Sequence, residues 1–594
     1  MWNPDWALAA LHPAVGETLL TRVDLRRSSG MLLSDALARQ TRVAILSAGC
    51  HGAWDLPYTV SPGTERLAIW FNGGPTAGAA IPEALLQTQT PQTLEQLLYL
   101  APDPFLDPLS QGGDGILWAR AIRLDGSVTR SAVRVTEGPT GAATEDFILG
   151  RQTSHGRWWG TYAHSRSDGR PEWIRPRYTL SRYQNLGLHV ERSLRAGAFA
   201  VEAADRAGRY ALEGGRKLIW QAQQVSAGWQ FACDHRLTGE LRVTRRNDLL
   251  QGWESGESDR RRTTSSDAVA RMRVPAGRAT LHLAAGVERV SLRCRLSERY
   301  QTEEARVGTG VAMGTTVQGR RGVVRATAGW VSPWWGAGHA RVHLLGATPL
   351  GDLLRGELEG WVGAGFPFVP RLEGDGSALL EEGIVLPGVV EARQYPLRRV
   401  AHAEARVRAR HGGQDATLGL FARRLEHAIG VDPEVAFALA PEARDVAGFD
   451  RLAGTATLEG AAVSWALELP LGGGLRGDAS LILHPRRDRL PMLTPRGRGR
   501  AVLSVGGVLF DRSLRWEARL IGVWRDRWQT PYGVSPAAAR WDAEIHGTMG
   551  RAHFFFALRH LGNGVQESAT YVDGGWMPLP YRSGQLGVEW HFVD

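Results

Sequence analysis

Lysine is all but missing from this chain: of its 70 basic residues, Lys217 alone is not arginine. Cysteine is scarce as well. Cys50, Cys233 and Cys294 stand far apart with no CxxC pair, which excludes a disulfide framework and a thiolate zinc site. No run of 18 or more apolar residues occurs, so no helix crosses a membrane. GxSxG, HExxH, a Walker loop and a strand–helix GxGxxG are all absent. The 17 histidines never pair with other ligands at metal-binding spacing. His402, His546, His553 and His591 therefore read as polar residues facing a lumen. The carboxylate pairs Glu303-Glu304 and Glu381-Glu382 read as solvent-exposed loop charges. No nucleophile is offered with a base, so the expectation is no enzyme, no cofactor and no metal.

What is abundant is glycine, at 72 residues, and tryptophan, at 22, with hydrophobic residues at only 43%. A polar-lined barrel needs that blend, because only alternate strand residues face lipid. The net charge of +9 is spread along the chain rather than clustered, which argues against nucleic acid. It fits a basic lumen, with arginines near an outer rim meeting lipopolysaccharide phosphates.

Two textures divide the chain, giving an expected domain of 1–137 and a second of 138–594. In the first, Asp24–Ala44 reads as a short helix capped near Ser34 or Asp35, with Leu33, Ala36 and Leu37 as its apolar stripe. Leu67–Phe71 reads as a strand ended by Asn72-Gly73-Gly74-Pro75, and Thr93–Leu100 as a helix or strand. This is a small α+β domain.

From about Thr144 the period is two. Ala401–Arg410 places apolar residues at odd positions and polar ones at even positions. Trp541, Ala543, Ile545 and Met549 share one face against Asp542, Glu544 and His546, and Ser513–Leu520 repeats the pattern. Pro275-Ala276-Gly277-Arg278 and Met549-Gly550-Arg551 read as tight turns, and Gly472-Gly473-Gly474 as a hairpin turn. Trp253–Ser266, Phe366–Arg393 and Asp432–Asp450 read as long connections. Short turns at one end and long loops at the other describe an outer-membrane barrel, here of about 22 antiparallel strands. A barrel so wide needs a plug, and the N-terminal domain is suited to be one. Trp158-Trp159, Trp334-Trp335, Trp524 and Trp528 lie near strand ends, where an aromatic belt belongs.

The final strand carries the sharpest motif. Gln585, Gly587, Trp590 and Phe592 fall in the order polar, Gly, aromatic, aromatic. This resembles the C-terminal signal read by the barrel-assembly machinery, except that Val593 and Asp594 follow the last aromatic. Leu586, Val588, Trp590 and Phe592 form a lipid-facing row, and Gly587 relieves crowding on the inner face.

Over its whole length the chain resembles TonB-dependent outer-membrane receptors. Asp24-Leu25-Arg26-Arg27-Ser28-Ser29-Gly30 with Leu33-Ser34-Asp35-Ala36-Leu37 is similar to the first plug motif, and Phe71-Asn72-Gly73-Gly74-Pro75 to a later one with asparagine for the acid. Cys50-His51-Gly52 stands where Arg-Gly is expected. Leu94–Pro102 echoes a segment whose two arginines are missing here, and Gly113–Leu117 echoes the next. No TonB box is seen. Met1–Asp5 begins no signal peptide, so the reading expects one removed or encoded upstream.

The resemblance implies TonB-coupled uptake of a scarce solute, such as an iron chelate, cobalamin or an oligosaccharide, at the cell outer membrane. The implied partners are TonB, the barrel-assembly machinery, outer-membrane lipid with its lipopolysaccharide, and a small-molecule ligand. Expected ligand contacts are His51, Trp54, Tyr58, Asn72, Thr76, Phe366 and Phe368. The competing readings are a passive porin or structural barrel without energy coupling, and a soluble secreted glycan binder.

Overall fold

The computed structural model describes residues 6, 17–37, 42–47, 55–59, 67–75, 89–111, 114–122, 129–138, 141–167, 178–212, 217–233, 237–254, 257–296, 300–319, 322–333, 338–351, 353–365, 398–411, 414–426, 429–430, 450–451, 455–469, 475–484, 494–530, 533–562, 572–573, 577–578 and 582–593. Twenty-two antiparallel strands close into one barrel, from Arg130–Glu137 to Ser583–Val593. The first and last strands seal it, running from Leu586 opposite Glu137 to Val593 opposite Arg130.

Period-two alternation places every inner and outer side chain. On Ala538–Met549, Trp541, Ile545 and Met549 are exposed while Asp542, Glu544 and His546 are buried inside. Leu586, Val588, Trp590 and Phe592 all lie on the outer face of the last strand. Of the two adjacent tryptophans, Trp158 faces out. Trp159 faces in and stacks on His189, with ring centroids 3.7 Å apart. Trp334 and Trp335 lie outside the described residues.

Tight turns gather at one end of the barrel. Gly277 and Gly550, at positive φ, close two of them, and the antiparallel pair Leu469 and Leu475 brackets 470–474. Trp253–Ser266 is not a connection: Leu237–Glu254 and Glu257–Ala276 stay paired up to Glu254 opposite Glu257. At about 3.3 Å per residue a 20-residue strand reaches ~65 Å, well beyond the roughly 30 Å hydrocarbon core. Past the bilayer both faces become polar, so the alternation fades while the backbone ladder continues. Glu303 likewise sits exposed on the strand Tyr300–Gly319 rather than in a loop. Residues 366–397 and 431–449 lie outside the described set.

The barrel's first strand falls within the stretch that sequence texture assigns to the plug (1–137), so the change of structure comes before 130. The plug itself is a five-stranded mixed sheet made of Glu17–Leu20, Leu94–Leu100, Gly115–Ala121, Leu67–Phe71 and Gly74–Pro75. Leu67 and Ile69 turn toward a core with Leu25, Leu33, Leu37, Leu94, Leu97 and Leu117. Ala68 and Trp70 turn the other way, where Trp70 and Trp118 pack with Phe105, Leu106 and the wall residues Ala284 and Ala312.

The helix expected over Asp24–Ala44 is two five-residue helices, Arg22–Arg26 and Leu33–Leu37. Thr21 and Asp24 form a capping box on the first, so Asp24 lies inside the helix rather than at its start. Asp35 Oδ2 accepts the Met31 and Leu32 amides at 2.9 Å each and holds the second. Thr93–Leu100 resolves into a short 3-10 turn and the strand Leu94–Leu100.

Gly587 faces inward, and a Cβ there would lie 2.4 Å from Phe555 Cε1. Gly587→Leu is expected to destabilise barrel closure by about 1–3 kcal/mol through overpacking. A lowered urea midpoint in refolding, followed by heat-modifiable gel mobility, is the check.

Candidate functional site: the interface between plug and barrel wall

The arginines that dominate the composition have a structural use on the inner face. Their forked guanidinium groups donate to backbone carbonyls of the plug, a match for five fixed N–H vectors. Arg134 donates to Ser28 O and Gly30 O at 3.1 and 3.4 Å. Arg242 donates to Asn72 O at 2.7 Å, Arg341 to Asp107 O at 2.7 Å, and Arg519 to Arg27 O at 3.2 Å. Arg271 reaches Phe105 O and Leu106 O at 3.2 and 2.6 Å. Arg498 donates to Thr59 O. These carbonyls belong to non-helical plug segments, whose backbone groups would otherwise be buried without partners.

Two contacts stand out by burial. The first clasps Ser29, which is fully buried against the strands that carry Glu544, Arg559 and Gln585. Its hydroxyl donates to Glu544 and accepts from Arg559 Nη2 at 2.6 Å, and Gln585 donates to its carbonyl. Glu544 also holds Arg559 Nη1 at 3.0 Å and contacts His546 Nε2 at 3.1 Å. The break between the two short helices follows from this: Arg27–Gly30 is drawn out of helical pairing to meet the wall.

The second contact is Asp103, in the buried segment Ala101–Ser110. Its Oδ1 accepts the Phe105 amide at 2.8 Å. Its Oδ2 accepts Arg325 Nε at 3.0 Å and lies 3.3 Å from His343 Nδ1. All three side chains are closed to solvent. His343 Nε2 continues to Glu359 at 3.0 Å, and Glu359 to Arg406 at 3.0 Å. The wall makes room here. A Cβ on Gly310 would sit 1.8 Å from Pro108 O, so only glycine lets the plug backbone come this close.

Plug side chains reach the wall too. Arg42 pairs with Glu404 at 2.6 Å and Arg27 with Glu517 at 3.1 Å. Asn185 donates to Gln89 at 2.8 Å.

Of the expected ligand contacts, His51, Trp54, Thr76, Phe366 and Phe368 lie outside the described residues. Tyr58 is in the strand Asp55–Tyr58, opposite Ala44. Asn72 is buried in a two-residue hairpin turn, with φ of 48° there and 90° at Gly73. Its amide donates to Glu202 at 2.7 Å, and its Oδ1 accepts the Ala121 amide at 3.0 Å. It is thus engaged with the wall rather than open to the lumen. His402, His546 and His553 point inward as expected, beside Glu404, Glu544 and Thr548 respectively, and His591 contacts Glu589.

Sequence reasoning missed Ser29, Asp103, Arg134, Arg325, Glu544 and Arg559. The only signal for the wall residues was a charge at an inward strand position, which many residues share. Gln585, read as part of an assembly motif, also holds the plug.

No family model matches this sequence, and neither does any curated protein. Solved structures do match over almost the full length. A variant of the ferric enterobactin receptor PfeA from Pseudomonas aeruginosa superposes with a TM-score of 0.75 at 12% identity, covering 100% of both chains. The siderophore receptor PirA from Pseudomonas aeruginosa gives 0.72 at 11%, covering 98% of this chain and 99% of that one. The FrpB iron transporter from Neisseria meningitidis gives 0.69 at 9%, over 97% and 99%. At these identities the likeness is one of fold: the chain shares the architecture of these solved structures, here a small mixed sheet held within a closed 22-stranded barrel.

Proposed function

We propose that this protein is an outer-membrane receptor that takes up a scarce solute through TonB-coupled movement of its plug. The observation carrying this reading is the interface itself. A folded plug sits inside a closed barrel and is held by many polar contacts that can break and re-form, beside hydrophobic clusters such as Trp70, Trp118, Phe105 and Leu106 against Ala284 and Ala312. Such a plug stays shut until work or binding energy favours another arrangement. The fold neighbours named for siderophores and iron favour a ferric chelate over cobalamin or an oligosaccharide.

The ligand surface is assigned to His51, Trp54, Tyr58, Thr76, Phe366 and Phe368; Asn72 is set aside from it, because its side chain is held by Glu202 and the Ala121 amide. Gln585, Gly587, Trp590 and Phe592 are assigned to recognition by the barrel-assembly machinery.

The test is single-channel conductance of the purified, refolded chain in planar bilayers, with insertion confirmed by protease protection. Silence that gives way to large openings in urea is the expected result. A steady open channel without urea would overturn gating and leave a passive pore. Ferric-chelate uptake by cells bearing the receptor, abolished without TonB, is the second expected result.

A further inference from the structure

We infer that the turn end of the barrel carries a binding site for a small polyvalent oxyanion, which bridges the plug to the wall beside the seam. This goes beyond the uptake reading and does not depend on it.

A cavity of about 370 Å³ opens where the plug helix Arg22–Arg26 and strand Leu94–Leu100 meet the first and last barrel strands, next to the Gly550 turn. That volume falls within the roughly 300–1,000 Å³ of small-molecule sites. Guanidinium groups reach it from separate segments: Arg22 and Arg26 from the plug, Arg130 from the first wall strand and Arg551 from the turn. Arg22 and Arg26 are one helical turn apart and share a face. Ala132 pairs with His591, which sets Arg130 diagonally across from that imidazole. The His591 amide donates to Arg551 O at 3.1 Å and holds the turn against the last strand.

Negative charge is scarce here. Glu95 is the one carboxylate among the described lining residues. Glu589 lies nearby, but it is buried and contacts His591 at 2.6 Å. Arg22 Nη1 donates to Gln92 O and Leu94 O at 2.7 and 2.9 Å, so neutral carbonyls fix its head group. Arg134, whose guanidinium holds plug carbonyls, adds a further positive charge close to Arg22. Arg26, Arg130 and Arg551 make no ion pair among the described residues. Like charges on one helix face repel, and the buried apolar floor of Ala132 and Ile148 leaves less water to screen them. An anion from solution removes that repulsion.

The arrangement selects for valence. A monovalent anion satisfies the plug arginines or the wall arginines, not both. An anion with two or more charged groups meets Arg22 and Arg26 with one and Arg130 and Arg551 with another. Forked guanidinium donors suit carboxylate and phosphate oxygens alike. Such a ligand ties plug to wall, so it favours the docked arrangement over the released one. The short turns of such a barrel face the periplasm, so the anion is drawn from that compartment, opposite the loops.

The probes are inorganic pyrophosphate, tricarballylate and acetate, titrated at equal ionic strength into the full chain in detergent and read by calorimetry. At least one polyvalent anion is expected to bind about tenfold more tightly than acetate. The tighter of the two tells a phosphate source from a carboxylate one. Hydrogen exchange at Arg22–Arg26 is expected to slow when that anion is bound. The variant Arg26→Gln, Arg551→Gln is expected to lose about tenfold in affinity. Arg245→Gln with Arg289→Gln, exposed on the outer face, is expected to leave it unchanged. No preference for either polyvalent anion over acetate in the unmodified protein, a comparison that needs no variant, would overturn the proposal. So would undiminished affinity in the Arg26 and Arg551 variant with its heat-modifiable barrel intact.

Discussion

Replacing Asp103 with asparagine is expected to open the channel without urea. The substitution keeps size and shape but removes the charge facing Arg325, which has no solvent access. Beyond a neutral amide oxygen at 103, Arg325 would keep, among the described residues, the Thr316 hydroxyl at 3.3 Å and the Phe105 ring at 5.6 Å. Stranding one partner of a buried ion pair costs about 3–5 kcal/mol, enough to shift a docked plug toward release. Conductance without urea should rise from silence to frequent openings. Adding Arg325→Met should recover much of the closure, because the guanidinium left without its carboxylate is then gone. A silent Asp103→Asn channel would mean that this ion pair does not hold the plug.

The same contact sets a pH response. Burial alone would raise the Asp103 carboxyl. The Arg325 charge, the His343 contact and the Phe105 amide outweigh burial and hold it well below the usual carboxylate range. A depressed value means that docking strength is complete at neutral pH and is lost as pH falls below about 4, where the released carboxyl takes up its proton. Openings of the unmodified channel should therefore be rare at pH 6 and increase in acid below pH 4. The Asp103→Asn channel should lack that component.

Glu544→Ala is expected to release the other contact. Glu544 is buried against the Ser29 hydroxyl, Arg559 and His546. Truncation leaves Arg559 near Asp542 at 3.3 Å but takes away its partner at 3.0 Å and the acceptor for Ser29. A loss of roughly 3 kcal/mol is expected. Hydrogen exchange should show it as faster exchange at Arg27–Gly30 with no change around Phe105–Asp107. The two contacts use different wall strands and share no partner, so the double variant should show additive losses. Strong coupling between them would instead mean that the plug releases as one rigid unit.

Much of this architecture was open to reading from residue order. A ladder of alternating side chains has a period of two whatever surrounds it. The strands around Trp541 and Leu586, their inward histidines, and the tight turns at Gly277 and Gly550 all follow from it. The strand Leu67–Phe71 and its Asn-Gly turn are likewise local, because positive φ at Asn72 and Gly73 is a property of the chain itself.

The tertiary structure alone decided which charges matter. Arg245 and Arg246 are consecutive in sequence, yet one faces the outside with no ion pair among the described residues. The other is buried against Asp267 and Glu288. Asp103 and Arg325 are separated by 222 residues, and Ser29 and Glu544 by 515. Alternation tells which side of the wall a residue faces, but not what waits there. The plug's position sets that, and it depends on contacts between segments hundreds of residues apart, which leave no periodic trace in the sequence.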